Sequence, residues 1–332
     1  MAPKEMKLSI VIPVYNVAPY IEDCLQSVMN QSWQGDLECI LVDDCGVDNS
    51  VQIIEHKLKS YHGPIDFRVL HHERNRGLSA ARNTGIDAVT GDYVYFLDSD
   101  DEITPDCLEV LAKPLAIEDY DFVVGDYRIE GSIKPKAPLR LADGTVLRGM
   151  EVLHAYRKEE WYMLSVNKLY KVAFLNDYHL RFRDEIIHED ELWSFQIACL
   201  AQSMYAVRQE TYIYKVREGS ITVKKNHDRR CYCLNVIIQE MCLFAKEHHL
   251  LSNNDVHNLI QNFRMITLFS IYNDAFPMFR SFYEAQRKAV KIAWVDCFRK
   301  NGFDVRKQMR DLHQIMPPFL AVWYLRLMFQ FL

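Results

Sequence analysis

The sequence has no run of about 20 apolar residues, the length a helix needs to cross a bilayer, so no membrane span is expected. It also lacks a zinc-type C-x-x-C pair. Its nine cysteines lie scattered at Cys24, Cys39, Cys45, Cys107, Cys199, Cys231, Cys233, Cys242 and Cys297. An odd, unpaired set suits reduced thiols in a cytosolic compartment, most of them serving as small core residues. A signal segment is not expected either, since Leu8–Val14 is only strand length and Pro13 interrupts it. Glycine is scarce, 12 in 332 residues, and none occurs in PVYNVAPY after the first strand-like run. That absence argues against a G-x-G-x-x-G dinucleotide turn and against a dehydrogenase; a P-loop is missing too. The net charge of −6 gives no reason to expect a nucleic-acid partner.

What is present is an ordinary globular composition, 49% apolar and 25% charged, in a chain long enough for one large domain or a domain with an appendage. Charge is unevenly spread. Residues 224–332 carry 16 Lys/Arg against 9 Asp/Glu, a surplus of +7, while residues 1–223 carry 23 against 36, a balance of −13. An acidic first part and a basic second part suggest two different jobs.

The first hundred residues alternate between two periodicities. KLSIVIP (Lys7–Pro13), LECILVD (Leu37–Asp43), Phe67–His71 and DYVYFL (Asp92–Leu97) are short apolar runs of strand type. Between them, Ala18–Asn30, the segment from Val51 through Leu58, and Ser79–Val89 have apolar residues at helical spacing, the second preceded by N-cap chemistry at Asp48–Ser50. This rhythm predicts an α/β fold with a mostly parallel central sheet flanked by helices. Ligands bind such sheets beyond the carboxyl ends of the strands, which here carry Pro13-Val14-Tyr15-Asn16, Asp43-Asp44 and Asp98-Ser99-Asp100-Asp101. Residues 129–150 read as a loop or weak hairpin, and the chain from Arg229 onward as mainly helical.

Asp98 and Asp100 flank Ser99 at the end of a strand. Carboxylates so placed can hold a hard divalent cation, although an acidic turn alone is a common surface feature. HEDELW (His188–Trp193) likewise reads either as an acidic helix start or as the source of a catalytic base.

The ordered set IVIPVYN (Ile10–Asn16), LVDD (Leu41–Asp44), NRGLSAARNTGI (Asn75–Ile86) and GDYVYFLDSDD (Gly91–Asp101) closely resembles the family 2 glycosyltransferases. The resemblance is dense over about the first 110 residues. It thins toward residue 222 through NKLYK (Asn167–Lys171), HEDELW and REGSIT (Arg217–Thr222). It implies a GT-A fold over residues 1–223, with a nucleotide-binding half to about 110, an acceptor half beyond it, and a helical extension over 224–332. It also implies an inverting, metal-dependent transfer of a hexosyl or N-acetylhexosaminyl group from a nucleotide-diphosphate sugar, most often UDP-linked, with Mn²⁺ or Mg²⁺ as cofactor. The acceptor would be a saccharide or lipid-linked saccharide in surface polysaccharide or glycolipid synthesis.

By the same resemblance Pro13, Val14, Tyr15 and Asn16 wall the base pocket, and Asp44 bonds the base or ribose while Asp43 supports the strand end. Arg82 and Ser99 lie by the nucleotide, and Asp98 and Asp100 bind the metal. Asp190 is the base, oriented by Glu189. Arg217 closes on the diphosphate, as a guanidinium fork suits two phosphoryl oxygens. His188 either touches the acceptor or packs, and Trp193 either stacks on a sugar or sits in the core. Cys45 and Gly46 replace the glycine and serine usual after the paired aspartates. A nucleotidyltransferase, or a catalytically inactive binding or scaffold subunit, are the alternatives; the first would want a glycine-rich basic loop, and the intact carboxylates speak against the second.

Outside the matched region, Met316–Leu332 (MPPFLAVWYLRLMFQFL) is strongly apolar but contains Arg326 and Gln330. Arg299, Lys300, Arg306, Lys307 and Arg310 precede it. Such a segment suits either peripheral docking on the inner face of an anionic cell membrane or packing against the rest of the protein.

Overall fold

The fold is that of a computed structural model, which describes residues 6–131, 139–216, 226–290, 300 and 304–330. It forms two compact units, Met1–Lys224 and Lys225–Leu332.

The first unit begins with β1 (Leu8–Val14), α1 (Ile21–Met29), β2 (Leu37–Asp43), α2 (Ser50–Lys59), β3 (Asp66–His71), α3 (Leu78–Ala88) and β4 (Tyr93–Phe96). The four strands pair in parallel, in the spatial order β3-β2-β1-β4. β1 and β2 are buried along their whole length, which is why they read as unbroken apolar runs rather than alternating ones. α3 lies close on β1. A Cβ at Gly85 would stand 2.2 Å from a Val11 methyl, so glycine permits the approach that seats this helix.

Next come β5 (Glu102–Ile103), α4 (Cys107–Ala112), β6 (Phe122–Glu130), β7 (Thr145–Arg148), α5 (Met150–Arg157), β8 (Lys168–Lys171), α6 (Val172–Asp177), α7 (Glu189–Leu200) and β9 (Ser203–Lys215). The sheet continues as β4-β8-β6-β9-β5, with β7 paired to β9. Here it is mixed: β8 runs antiparallel to β4 and β6, β9 parallel to β6, and β5 and β7 antiparallel to β9. Residues 129–150 were expected as a loop or weak hairpin; among the described ones, 139–144 are loop and Thr145–Arg148 is a strand. Thr145–Arg148 finds its partner in Ser203–Ala206, about 60 residues downstream in sequence, and not in β6.

In the second unit, α8 (His227–Glu247), α9 (Asn254–Asp274), α10 (Phe279–Ala289) and helix Pro318–Phe329 contribute to an apolar cluster that includes Leu268, Ile271, Phe279, Phe282, Leu325 and Phe329, and helix Val305–Leu312 lies against α9. A buried polar layer accompanies it. Arg264 donates to Gln261 and Gln314, and His257 Nε2 lies 3.1 Å from the fully buried Asp311. Among the described residues no helix is long and apolar enough to cross a membrane. The eight described cysteines are free thiols.

Candidate active site

The ends of β1, β2 and β4 and the start of α7 carry the expected side chains. Pro13 and Val14 are buried at the end of β1, whereas Tyr15 and Asn16 are exposed just beyond it. Asn16 takes a left-handed backbone (φ 53°) and accepts from Val47 N–H at 2.8 Å, tying this loop to the one after β2. Cys45, where the family resemblance would put glycine, adopts φ 58°, a left-handed conformation that glycine takes most readily. Gly46 N–H donates to Asp43 at 3.2 Å.

The two aspartates after β2 have different work. Asp44, expected to reach base or ribose, is nearly enclosed. It accepts from the backbone N–H groups of Arg76 and Gly77, each at 2.7 Å, and His72 Nδ1 lies 2.7 Å away. Asp44 therefore orders the turn that starts α3. Asp43 has His71 Nδ1 at 3.0 Å and keeps more of its side chain exposed.

At the end of β4, carboxylate oxygens of Asp98, Asp100 and Asp101 lie within 4.8 Å of one another. Asp101 accepts from Tyr212 Oη at 2.6 Å and from Lys215 N–H at 2.8 Å. Its carboxyl is pushed up to about 7, by burial first and by Asp98 second. Asp98 and Asp100 are the less buried pair of the three, and an all-carboxylate oxygen set fits a hard divalent cation. Ser99 between them is buried.

Arg82, on the buried face of α3, joins this cluster to the start of α7. Its Nη2 donates to Asp98 at 2.8 Å, and its Nη1 to Glu189 at 2.7 Å and Asp190 at 3.5 Å. Burial alone would lower the guanidinium's pKa, but Asp98, Asp190 and Glu189 together raise it, so Arg82 stays charged. Three carboxylates share one cation. The most enclosed of them, Glu189, is pushed upward by burial and then by Asp190, against the pull of Arg82. Asp190 also accepts from Ser165 N–H at 3.3 Å and retains a solvent-facing edge.

Aromatic packing holds the arginine. The Arg82 guanidinium lies 5.1 Å from the Phe182 ring centroid, and Phe182 stacks on Trp193 at 4.0 Å and 9°. Trp193 is 1% exposed, so of its two expected roles it has the core one and cannot meet a sugar face. His188 precedes α7 in a left-handed conformation (φ 65°), half-buried beside Glu189. Arg217 lies outside the described residues. Sequence reasoning missed Asp101, Tyr212, Phe182 and Ser165. Asp101 stood in the quoted motif, but the other three carried no local signal.

A parallel α/β half opening onto acidic strand ends, with a mixed half that supplies a second carboxylate pair, defines a GT-A glycosyltransferase fold. The glycosyl transferase family 2 profile matches residues 9–178, and the chain belongs to that family. Glycosyltransferase GlyA of Streptococcus pneumoniae is 29% identical over 226 residues, 65% of this chain but only 31% of that protein. The Staphylococcus aureus poly(ribitol-phosphate) β-N-acetylglucosaminyltransferase TarS is 28% identical over 220 residues, 64% of this chain and 36% of that protein. Among solved structures, S. aureus TarS 1–349 in complex with UDP-GlcNAc superposes with TM-score 0.69 at 22% identity, covering 86% of this chain and 82% of that one. A Pyrobaculum calidifontis mannosyltransferase in complex with GDP-Man and Mn²⁺ gives TM-score 0.50 at 16% identity over 86% of each chain.

Proposed function

We propose that this glycosyltransferase moves a hexosyl or N-acetylhexosaminyl group from a UDP-linked donor to a hydroxyl of a saccharide or lipid-linked acceptor, with inversion. The observation that carries the reading is the Arg82 fork, which gathers the donor-side Asp98 and the acceptor-side Glu189 and Asp190 at one guanidinium. The exposed Tyr15 and Asn16 wall the base, with Asp43, rather than Asp44, offering the carboxylate there. Asp98 and Asp100 would hold Mn²⁺ or Mg²⁺, as suits a fold whose neighbours include a structure with Mn²⁺ bound. Such a cation supplies charge neutralisation on the leaving diphosphate. Asp190 accepts the acceptor hydroxyl's proton as that oxygen bonds to the anomeric carbon and the bond from that carbon to the diphosphate oxygen breaks. Glu189, bonded to Arg82 and nearly enclosed, orients the arginine and through it Asp190. His188 flanks the acceptor side. The UDP preference and the saccharide-polymer type of acceptor rest on the likeness to TarS, a poly(ribitol-phosphate) β-N-acetylglucosaminyltransferase solved with UDP-GlcNAc.

Calorimetric titration with UDP, GDP, CDP and dTDP, each with Mn²⁺ and then with EDTA, tests the donor site. Tight binding of UDP that EDTA abolishes is expected. Asp190→Asn should keep that binding and lose transfer by about 10²-fold or more, the usual worth of a general base. Full turnover in that variant would remove Asp190 from the role, and no nucleotide binding at all would overturn the donor assignment.

A further inference from the structure

Helix Pro318–Phe329 is apolar on both sides. Ala321, Val322, Leu325 and Phe329 face the core of the second unit. On the opposite side Phe319, Leu320, Trp323 and Leu327 are 69%, 44%, 62% and 41% exposed. Phe319, Trp323 and Leu327 follow one another at four-residue spacing, so they form one stripe along the helix. Tyr324 Oη donates to the Met309 carbonyl at 2.8 Å, which sets helix Val305–Leu312 alongside and extends the patch to the exposed Val305 and Met309. A surface helix ordinarily turns polar residues outward, and a contiguous apolar patch marks an interaction site.

Among the described residues the charge around the patch is mostly positive. Arg326 lies over the Phe276 ring at 4.8 Å on its margin, and Arg306 and Lys307 project from the adjoining helix. No acidic residue occurs from Leu312 to Leu332. On the adjoining helix, Asp304 caps its start through the N–H groups of Arg306 and Lys307 and pairs with the Lys307 ammonium at 3.4 Å, and Asp311 is fully buried against Arg310 and His257. Over Lys225–Leu332 the sequence holds 15 Lys/Arg against 9 Asp/Glu, a surplus of six.

From these observations we infer that Phe319, Leu320, Trp323 and Leu327, framed by Arg306, Lys307 and Arg326, form a docking face for an anionic lipid bilayer. The apolar side chains enter the headgroup–acyl boundary, where Trp is favoured, and the basic margin meets lipid phosphates. A second copy of the chain is the lesser fit. A two-fold interface on this face would bring each copy's Arg306, Lys307 and Arg326 against a margin of the same sign. The inference goes beyond the transfer reaction and does not depend on it.

Co-sedimentation of the full chain with vesicles of phosphatidylcholine, and of equimolar phosphatidylcholine and phosphatidylglycerol, tests it. Binding is expected to the mixed vesicles, weakened by salt. A Phe319→Ser/Trp323→Ser double variant should lose about tenfold or more in partition coefficient with an unchanged circular dichroism spectrum. An Arg306→Gln/Arg326→Gln variant, which leaves the apolar stripe intact, should lose most of the preference for phosphatidylglycerol. Failure of the native chain to bind either vesicle would overturn the inference, as would undiminished binding by the double variant. A dimer in sedimentation velocity that Phe319→Ser/Trp323→Ser dissociates, without vesicle binding, would assign the face to a second copy instead.

Discussion

At Arg82 one buried guanidinium faces Asp98, Glu189 and Asp190, so its replacement is felt in both stability and chemistry. Arg82→Met should destabilise by about 3–5 kcal/mol, because the buried Glu189 loses the guanidinium it pairs with. Adding Glu189→Gln should restore part of that loss, since Glu189 is the carboxyl already pushed upward. Urea unfolding of the two single variants and the double would show the coupling; strict additivity would mean the pair is not energetically linked. Lys168 gives a pH signature. Burial pushes its ammonium down to about 7, against an unfolded value near 10.4. Between those values the unfolded chain holds a proton that the folded chain has released. Stability therefore rises with pH across that window, by up to about 1.4 kcal/mol per pH unit, and this group adds no slope below the folded value. Lys168→Met should lack that rise when urea midpoints are compared from about pH 6 to 9.5; identical profiles would refute the depressed value.

At the scale of elements, α3 matters most, because it carries Arg82 and rests on β1 at Gly85. Gly85→Ala puts a methyl against Val11 with no room for it and should cost about 1–3 kcal/mol in urea unfolding, with nucleotide affinity falling as Arg82 is displaced. Wild-type stability and affinity would show that the helix can lift from the strand freely. The parallel elements were legible because their burial on both faces writes an unbroken apolar run: β2 was expected over Leu37–Asp43 and occupies those residues. β7 was not legible. Its residues Thr145–Arg148 alternate weakly, and what makes them a strand is β9, a partner far along the chain.

Across the whole molecule, the acidic first unit holds every described residue of the candidate site, and the basic second unit carries the exposed apolar face. The sequence by itself determined the family, the parallel half of the sheet and the acidic strand ends, because each is written in short contiguous motifs whose chemistry is local. The division of labour among the carboxylates had to wait for the tertiary structure. Asp43 and Asp44 are neighbours of the same kind, and only the turn at Arg76–Gly77 gives Asp44 its two backbone N–H partners. Trp193 could have faced sugar or core until Phe182 covered it. Arg82 could be placed near the nucleotide by motif, but its bond to Glu189 spans 107 positions. No local pattern encodes such a contact; it exists because the sheet brings the ends of β4 and the start of α7 to one place, and burial there makes the pairing strong.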